Sequence, residues 1–231
     1  MKPIRSIKNL CLVVTAIIFT SFFVGCKSET KPAEKTVSNE TILKAQDGFS
    51  VEEIAKDNYL YASSNSGVFR YKMNAAHEVI DTNTPEKIVD GLIDMGMDNA
   101  KPFTIDDEDN LYVTIGSWND ACRDNDADTG MMPCVILDSA GGIWKFKADQ
   151  LNQTFSDGLR YVTGIKNAVG ITWNFKTNSL FATDHGRGGL HNFYPELYTA
   201  KQDGELPAET LYELKENDNA GWPYTYYDQF K

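Results

Sequence analysis

The residues best placed to do chemistry sit where strand-like runs stop. In "LFATDHGRGG", residues 180–189, a strand pattern from Leu180 to Thr183 gives way to Asp184, His185 and a glycine-rich turn. Histidine is scarce, with only His77, His185 and His191 in the chain. Glycine lets a backbone come close to a ligand because no Cβ stands in the way. His185 and the bare main chain of Gly186 and Arg187 therefore form one candidate docking point, with an ordinary exposed turn as the alternative. A His185/His191 metal pair lacks an indicated third ligand. A second candidate is "GIKNAVG", which sets Lys166 and Asn167 between one strand end and the next. A cation beside an amide suits an anionic, carbonyl-rich ligand. The plainer reading is a solvated turn lysine and a turn asparagine.

The acidic loop "DNDADTG", residues 124–130, invites a calcium-loop reading. That pattern needs glycine at its sixth position and a bidentate glutamate at its twelfth, where this chain has Thr129 and Val135. A solvated loop is expected instead. Cys122 and Cys134 flank it. In an exported chain such a pair is expected as a disulfide, contributing about 3 kcal/mol by restricting the unfolded chain. Two cysteines alone fall short of a tetrahedral zinc site.

Export is written at the N-terminus. Lys2, Arg5 and Lys8 precede an apolar stretch from Leu10 to Val24. This is a secretory leader, too short and wrongly flanked for a spanning helix. Its ending, Val24-Gly25-Cys26, resembles a bacterial lipobox, which implies a lipid on Cys26. Lys27, rather than aspartate, follows, so an outer-membrane anchor is expected. Residues 27–42 are polar and almost free of bulky apolar groups. They bury too little to offset chain entropy and read as a flexible tether. The organisation expected is thus a leader over 1–25, a tether over 26–42 and one folded domain over 43–231. The formal charge is -11, and removing the three leader cations takes the mature chain to -14. Phosphate binding runs on Lys and Arg, so no nucleic-acid partner is expected.

The elements that must position the candidates are strands. "LYASSNSGVFRYK" from Leu60, "LYVTIGS" from Leu111 with "GGIWKFK", and "LFATDHG" from Leu180 with "TLYELK" look alike. Each pairs a Leu-aromatic-small-Ser/Thr strand with an alternating, aromatic-rich one. "EKIVDGL", "KPFTID", "RYVTGI" and "VGITWNF" read as further strands, separated by turn signals such as "DEDN" and "KTNS". The one good helical window, Glu196–Lys201, is short. A four-stranded unit repeated in this way is a β-propeller blade; an antiparallel sandwich is the rival. The spacing exceeds the usual blade, and the loops 117–140 and 186–208 account for the excess. About three blades can be counted, whereas closed propellers have at least about four. The chain is therefore expected to be an N-terminal portion, or to need a partner over an open sheet edge.

Five strings occur in order: "KPFTIDDEDNLYVTIGS", "GGIWKFKADQLNQ", "YVTGIKNAVGITW", "LFATDHGRGGLHNFYPELY" and "NDNAGWPYTYYD". Together they resemble the glucose/sorbosone dehydrogenase family, from about Leu60 to the end. The resemblance implies an all-β, six-bladed propeller that uses pyrroloquinoline quinone (PQQ) and calcium to oxidise aldoses. It implies quinone contacts for Lys166 and Asn167, where the family usually has Arg-Asn; lysine keeps the charge but loses the bidentate fork. It implies calcium at the main-chain carbonyls of Gly186 and Arg187, with His185 beside the cofactor, and a structural calcium at Glu209. The Asn219–Pro223 turn matches the family's, except that Ala220 replaces Tyr. The family's general base is a histidine at a fixed distance before the "LYVTIG" strand, and that position here is Asp98. A base works best with a pKa near ambient pH, and an exposed aspartate, near 3.9, is weak unless burial raises it.

The function expected is a lipid-anchored, quinone-dependent aldose or sorbosone-type dehydrogenase, with a sugar substrate, and inactive as this chain alone. The alternatives are a non-catalytic propeller that binds glycan or protein at the envelope, and a structural repeat protein whose missing blades come from another chain.

Overall fold

The computed structural model describes residues 54–124, 129–186, 188–206 and 208–225. They belong to one compact unit, 42–231. The leader, the tether and Cys26 lie outside the described residues.

The described chain is three sheets of strands, a partial β-propeller. The first blade is a meander of β1 (Ile54–Lys56), β2 (Tyr59–Ser64), β3 (Gly67–Lys72) and β4 (Glu86–Asp90). The second holds β5 (Phe103–Ile105), β6 (Asn110–Ile115), β7 (Gly142–Lys147) and β9 (Leu159–Thr163). The third holds β10 (Ala168–Asn174), β11 (Ser179–Asp184) and β12 (Thr210–Leu214). The three repeated sequence pairs are β2–β3, β6–β7 and β11–β12, the second and third strands of each blade.

Two short strands stitch neighbours together. β8 (Gln153–Thr154) follows the third strand of blade two and runs parallel to β4 of blade one. β13 (Asp218–Asn219) follows the third strand of blade three and runs parallel to β9 of blade two.

Local devices repeat with the blades. Gly67 and Gly142 each open a third strand, and a Cβ on either would meet a fourth-strand carbonyl, Val89 or Val162 respectively. The register slips just after each, between Val68 and Phe69 and between Ile143 and Trp144. Gly91 and Gly164 each follow a fourth strand with φ +75°, the left-handed region that favours glycine. The next residue donates back to the second-to-third-strand loop: Leu92 N to Ser66 O, 2.9 Å, and Ile165 N to Gly141 O, 3.1 Å.

The core is two layers between blades. Side chains alternate across a strand, so Leu111, Val113 and Ile115 of β6 face blade one, packing with Val68, Ile88 and Val89. Tyr112 of the same strand faces blade three, packing with Trp173, Leu180 and Leu214. β6 is covered on both faces and reads as a nearly continuous apolar run. Burying one such Leu contributes about 2 kcal/mol.

Among the described residues helices are few and short: α1 (Leu190–Phe193) and α2 (Ala200–Glu205), with single 3-10 turns at Val135–Asp138 and Phe155–Asp157. The helical window expected at 196–201 is a correction. Thr199 caps α2, its hydroxyl accepting from Gln202 N while the Gln202 side chain accepts from Thr199 N. A capping box starts a helix after its cap, so helix begins at Ala200 and most of the window is the link from α1.

Candidate functional site

In an antiparallel blade, the end where strand one enters is also where strand two leaves, strand three enters and strand four leaves. That end carries 91–102, 116–141, 164–167 and 185–209, the segments that bear every described candidate. Asp98 rides the connector entering blade two. Lys166 and Asn167 form the connector entering blade three. His185 and Gly186 follow β11.

These connectors meet. Lys166 Nζ donates to Asp98 Oδ2 at 3.0 Å and lies 2.9 Å from Asp120 Oδ1. Its side chain is 4% exposed, a cation buried between two carboxylates. Asn167 Nδ2 donates to Asp98 Oδ1 at 2.9 Å, and Asn167 N donates to Asp184 Oδ1 at 2.8 Å. One asparagine thus holds two carboxylates. Asp98 is in the left-handed region, φ +49°. It reaches the cluster because Gly116 has no side chain: a Cβ there would meet the Asp98 carbonyl and Cβ.

The surrounding loops are pinned. Ser117 N donates to Lys166 O and His185 N to Asn167 O, both 2.8 Å. Asp120 is held by its carbonyl, which accepts from Trp222 Nε1 at 2.8 Å. Trp222 is buried and donates its own N–H to Gly164 O. Cys122 and Cys134 are joined as a disulfide, Cα atoms 6.0 Å apart, and Cys134 N donates to the Tyr224 hydroxyl at 2.7 Å.

The electrostatics are acidic. Burial pushes the Asp184 carboxyl up to about 6, against the opposing pull of the Asn167 and Lys166 N–H groups. Lys166 is shifted the other way from a buried lysine left alone. Desolvation lowers it, but the hydrogen bonds and charges of Asp120 and Asp98 outweigh that, so its pKa is raised. Lys101, at the end of the Asp98 connector, is buried with little to balance it and falls to about 8; its Nζ donates to Asn99 O at 2.5 Å.

His185 stands apart from the buried cluster. It is 56% exposed, and its Nδ1 lies 2.8 Å from Glu209 Oε1, while Glu209 Oε2 accepts from Gly186 N at 3.2 Å. Glu209 therefore braces the loop with both oxygens. His191 pairs its Nδ1 with Tyr198 O instead, 2.7 Å. Arg187 lies outside the described residues. Among the described residues, no group of three or more His, Cys, Asp or Glu side chains is arranged to hold a metal.

Asp120 and Asp184 were not among the candidates read from sequence. Asp184 carried a signal, as the strand-ending acid beside His185. Asp120 carried none, because only the folded loop brings it to Lys166.

The TrAA12-like family model matches residues 12–228. Among solved structures, an iodide structure of Trichoderma reesei carbohydrate-active enzyme family AA12 aligns with a TM-score of 0.55 at 19% identity, covering 76% of this chain and 43% of that one. A calcium structure of the same family aligns with a TM-score of 0.54 at 16% identity, over 76% and 43%. The holo PQQ domain of a pyranose dehydrogenase from Coprinopsis cinerea aligns with a TM-score of 0.53 at 16% identity, over 76% and 42%. At these identities the structures speak for the fold, and the chain spans less than half the length of each. No curated protein matches it. With the family model covering nearly all of the chain, this protein belongs to the TrAA12-like family.

Proposed function

We propose that this protein is a quinone-dependent sugar oxidoreductase of the cell envelope, acting at the loop end of blades two and three. The observation that carries this is Asn167, which joins Asp98 and Asp184 beside the buried Lys166. Family membership supports the reaction class, and the PQQ domain and calcium structure among its neighbours support the cofactor pair. The lipid on Cys26 and an outer-membrane position remain part of the proposal.

The donor set fits the cofactor pair better than the quinone alone. Calcium takes oxygen ligands, and this end carries the carboxylates of Asp98, Asp120, Asp184 and Glu209. Lys166 already shares its charge between Asp98 and Asp120, so it does not by itself neutralise an anionic quinone; a divalent cation would. Asn167 and Lys166 would border the quinone, with the Gly186–Arg187 main chain on the cation and His185 at the rim. When bound, the quinone supplies a two-electron acceptor for hydride. Asp98 accepts the proton of the sugar hydroxyl, and Lys166 and Asn167 hold that carboxylate in one orientation. Asp184, linked to it through Asn167, is the second carboxyl and can hold a proton close to neutral pH, the range general acid–base work needs.

A calorimetric titration of the chain with PQQ, with and without calcium, tests this. Calcium-dependent binding, weakened at least tenfold by Asn167→Ala, is the expected result. One observation favours a second reading, a non-catalytic binding module: both Asp98 oxygens are already engaged by protein donors. Glycan binding with no quinone affinity would establish that reading and remove the first.

A further inference from the structure

Blade three lacks what the other two blades have. Its sheet stops at β12. Among the described residues no fourth strand pairs with the far edge of β12, whereas the equivalent third strands, β3 and β7, pair with β4 and β9. Its front is open as well. The register makes Val68, Ile143 and Leu211 equivalent, opposite Ser63, Thr114 and Thr183 on the second strands. Val68 and Ile143 are 0% exposed because the next blade covers each, while Leu211 is 66% exposed.

Blade one carries the complement. Each later blade turns large third-strand residues back onto the blade before it: Trp144 and Phe146 onto blade one, Tyr212 and Leu214 onto blade two. Their equivalents in blade one are Phe69 and Tyr71, paired with Ala62 and Leu60. Neither belongs to a core layer.

The missing strand is written in the chain too. Both fourth strands read basic, apolar, Val, Asp or Thr, Gly, apolar: Lys87 to Leu92 and Arg160 to Ile165. Residues 44–49, Lys-Ala-Gln-Asp-Gly-Phe, repeat this with Gln46 in place of the valine. They stand just before β1, the first strand of blade one. In blade two the basic residue, Arg160, pairs with Trp144, its guanidinium 4.9 Å from that ring centre. Lys87 pairs with Phe69 in the same way along the ladder. The equivalent aromatic on β12 is Tyr212, the position that Lys44 matches.

We propose that two copies of this chain close into one ring, three blades from each. Residues 42–48 of each copy add to β12 of the other as its fourth strand, and the open front of blade three meets the open back of blade one. An exposed strand edge takes another strand through its free main-chain groups. Two such contacts related by a twofold axis close on themselves, and the ring falls within the roughly four to eight blades that propellers hold. One copy cannot do this for itself, because three blades are too few to close. The inference needs no quinone and stands apart from the chemistry of the loop-end site.

Sedimentation equilibrium of the full chain in mild detergent, with hydrogen exchange at the β12 amides, tests it. Twice the chain mass and protected β12 amides are expected for the wild type. Leu159→Asp, an exposed change on blade two, should behave alike. Leu211→Asp and, separately, deletion of residues 42–48 should each weaken association at least tenfold and speed exchange at β12. Leu211 is already exposed in the single chain, so its variant should keep the wild-type circular dichroism spectrum. A wild type that sediments as one chain overturns the proposal. So do open-ended assemblies that grow with concentration, or a dimer that survives both changes.

Discussion

Lys166 Nζ lies 3.0 Å from Asp98 Oδ2, joining the connector that enters blade two to the one that enters blade three. Sixty-eight residues separate them in sequence. The contact makes the loop end of these two blades one electrostatic unit, and most of what the site can do depends on it.

Removing the cation from that unit leaves Asp98 and Asp120 facing a buried gap. Breaking a buried ion pair on one side costs about 3 kcal/mol or more. Lys166→Met should therefore lower urea stability by about that amount. Lys166→Met combined with Asp98→Asn should cost clearly less than the two single changes added. Strict additivity would mean the pair is not coupled.

Asp184 is held neutral by burial more than its unfolded form would be. Its folded pKa is about 6 against 3.8 unfolded. The folded state thus binds more protons between those values, so this group's stabilising contribution is full below about pH 4 and is lost as pH rises through 6. Asp184→Asn keeps an oxygen for Asn167 N and carries no charge. Its stability profile should flatten across pH 4–6, and the variant should be at least as stable as wild type at pH 7. Any sugar oxidation should fall, read as a loss of the limb near pH 6 in kcat/KM.

Lys101 gives the opposite window. Its pKa falls from 10.5 to about 8 on folding because burial disfavours the charge. Between those values the unfolded chain binds the extra proton, so stability should rise with pH from about 8 to 10.5. Lys101→Met should abolish that rise, measured by urea midpoints across the range. A Lys101→Met profile that still climbs would assign the effect elsewhere.

The repeated glycines after the fourth strands should differ in cost. Gly91 and Gly164 share φ +75°, but a Cβ at Gly91 meets nothing, whereas at Gly164 it meets Asn219 Oδ1 and the Gly221 N. Gly91→Ala should cost about 1 kcal/mol for left-handed strain alone. Gly164→Ala should add about 1–3 kcal/mol of overpacking and loosen the Trp222 anchor. Thermal unfolding of the two variants gives the ranking directly.

Reduction of Cys122–Cys134 should cost about 3 kcal/mol, because the closed loop is short. The loss should appear in thermal melts with and without reductant, and Cys122→Ser with Cys134→Ser should reproduce it.

By itself the sequence determined the strands, their pairing into blades and the segments that carry chemistry. Period-2 alternation, turn residues and a recurring Leu-aromatic pattern are local, and they survive reading one residue after another. It pointed to Lys166, Asn167 and His185 at strand ends, and to Asp98 only through the family resemblance, without saying which touch. It misplaced the short helix by several residues, because the Thr199–Gln202 cap, rather than composition, decides where that helix starts. Only the tertiary structure decided that Lys166 is buried between Asp98 and Asp120 while His185 stays in solvent with Glu209, that burial pushes the Asp184 carboxyl up to about 6, and that the Trp173 indole N–H meets no acceptor among the described residues. Burial and charge pairing are sums over neighbours contributed by different blades, and no stretch of chain short enough to read as a motif contains them.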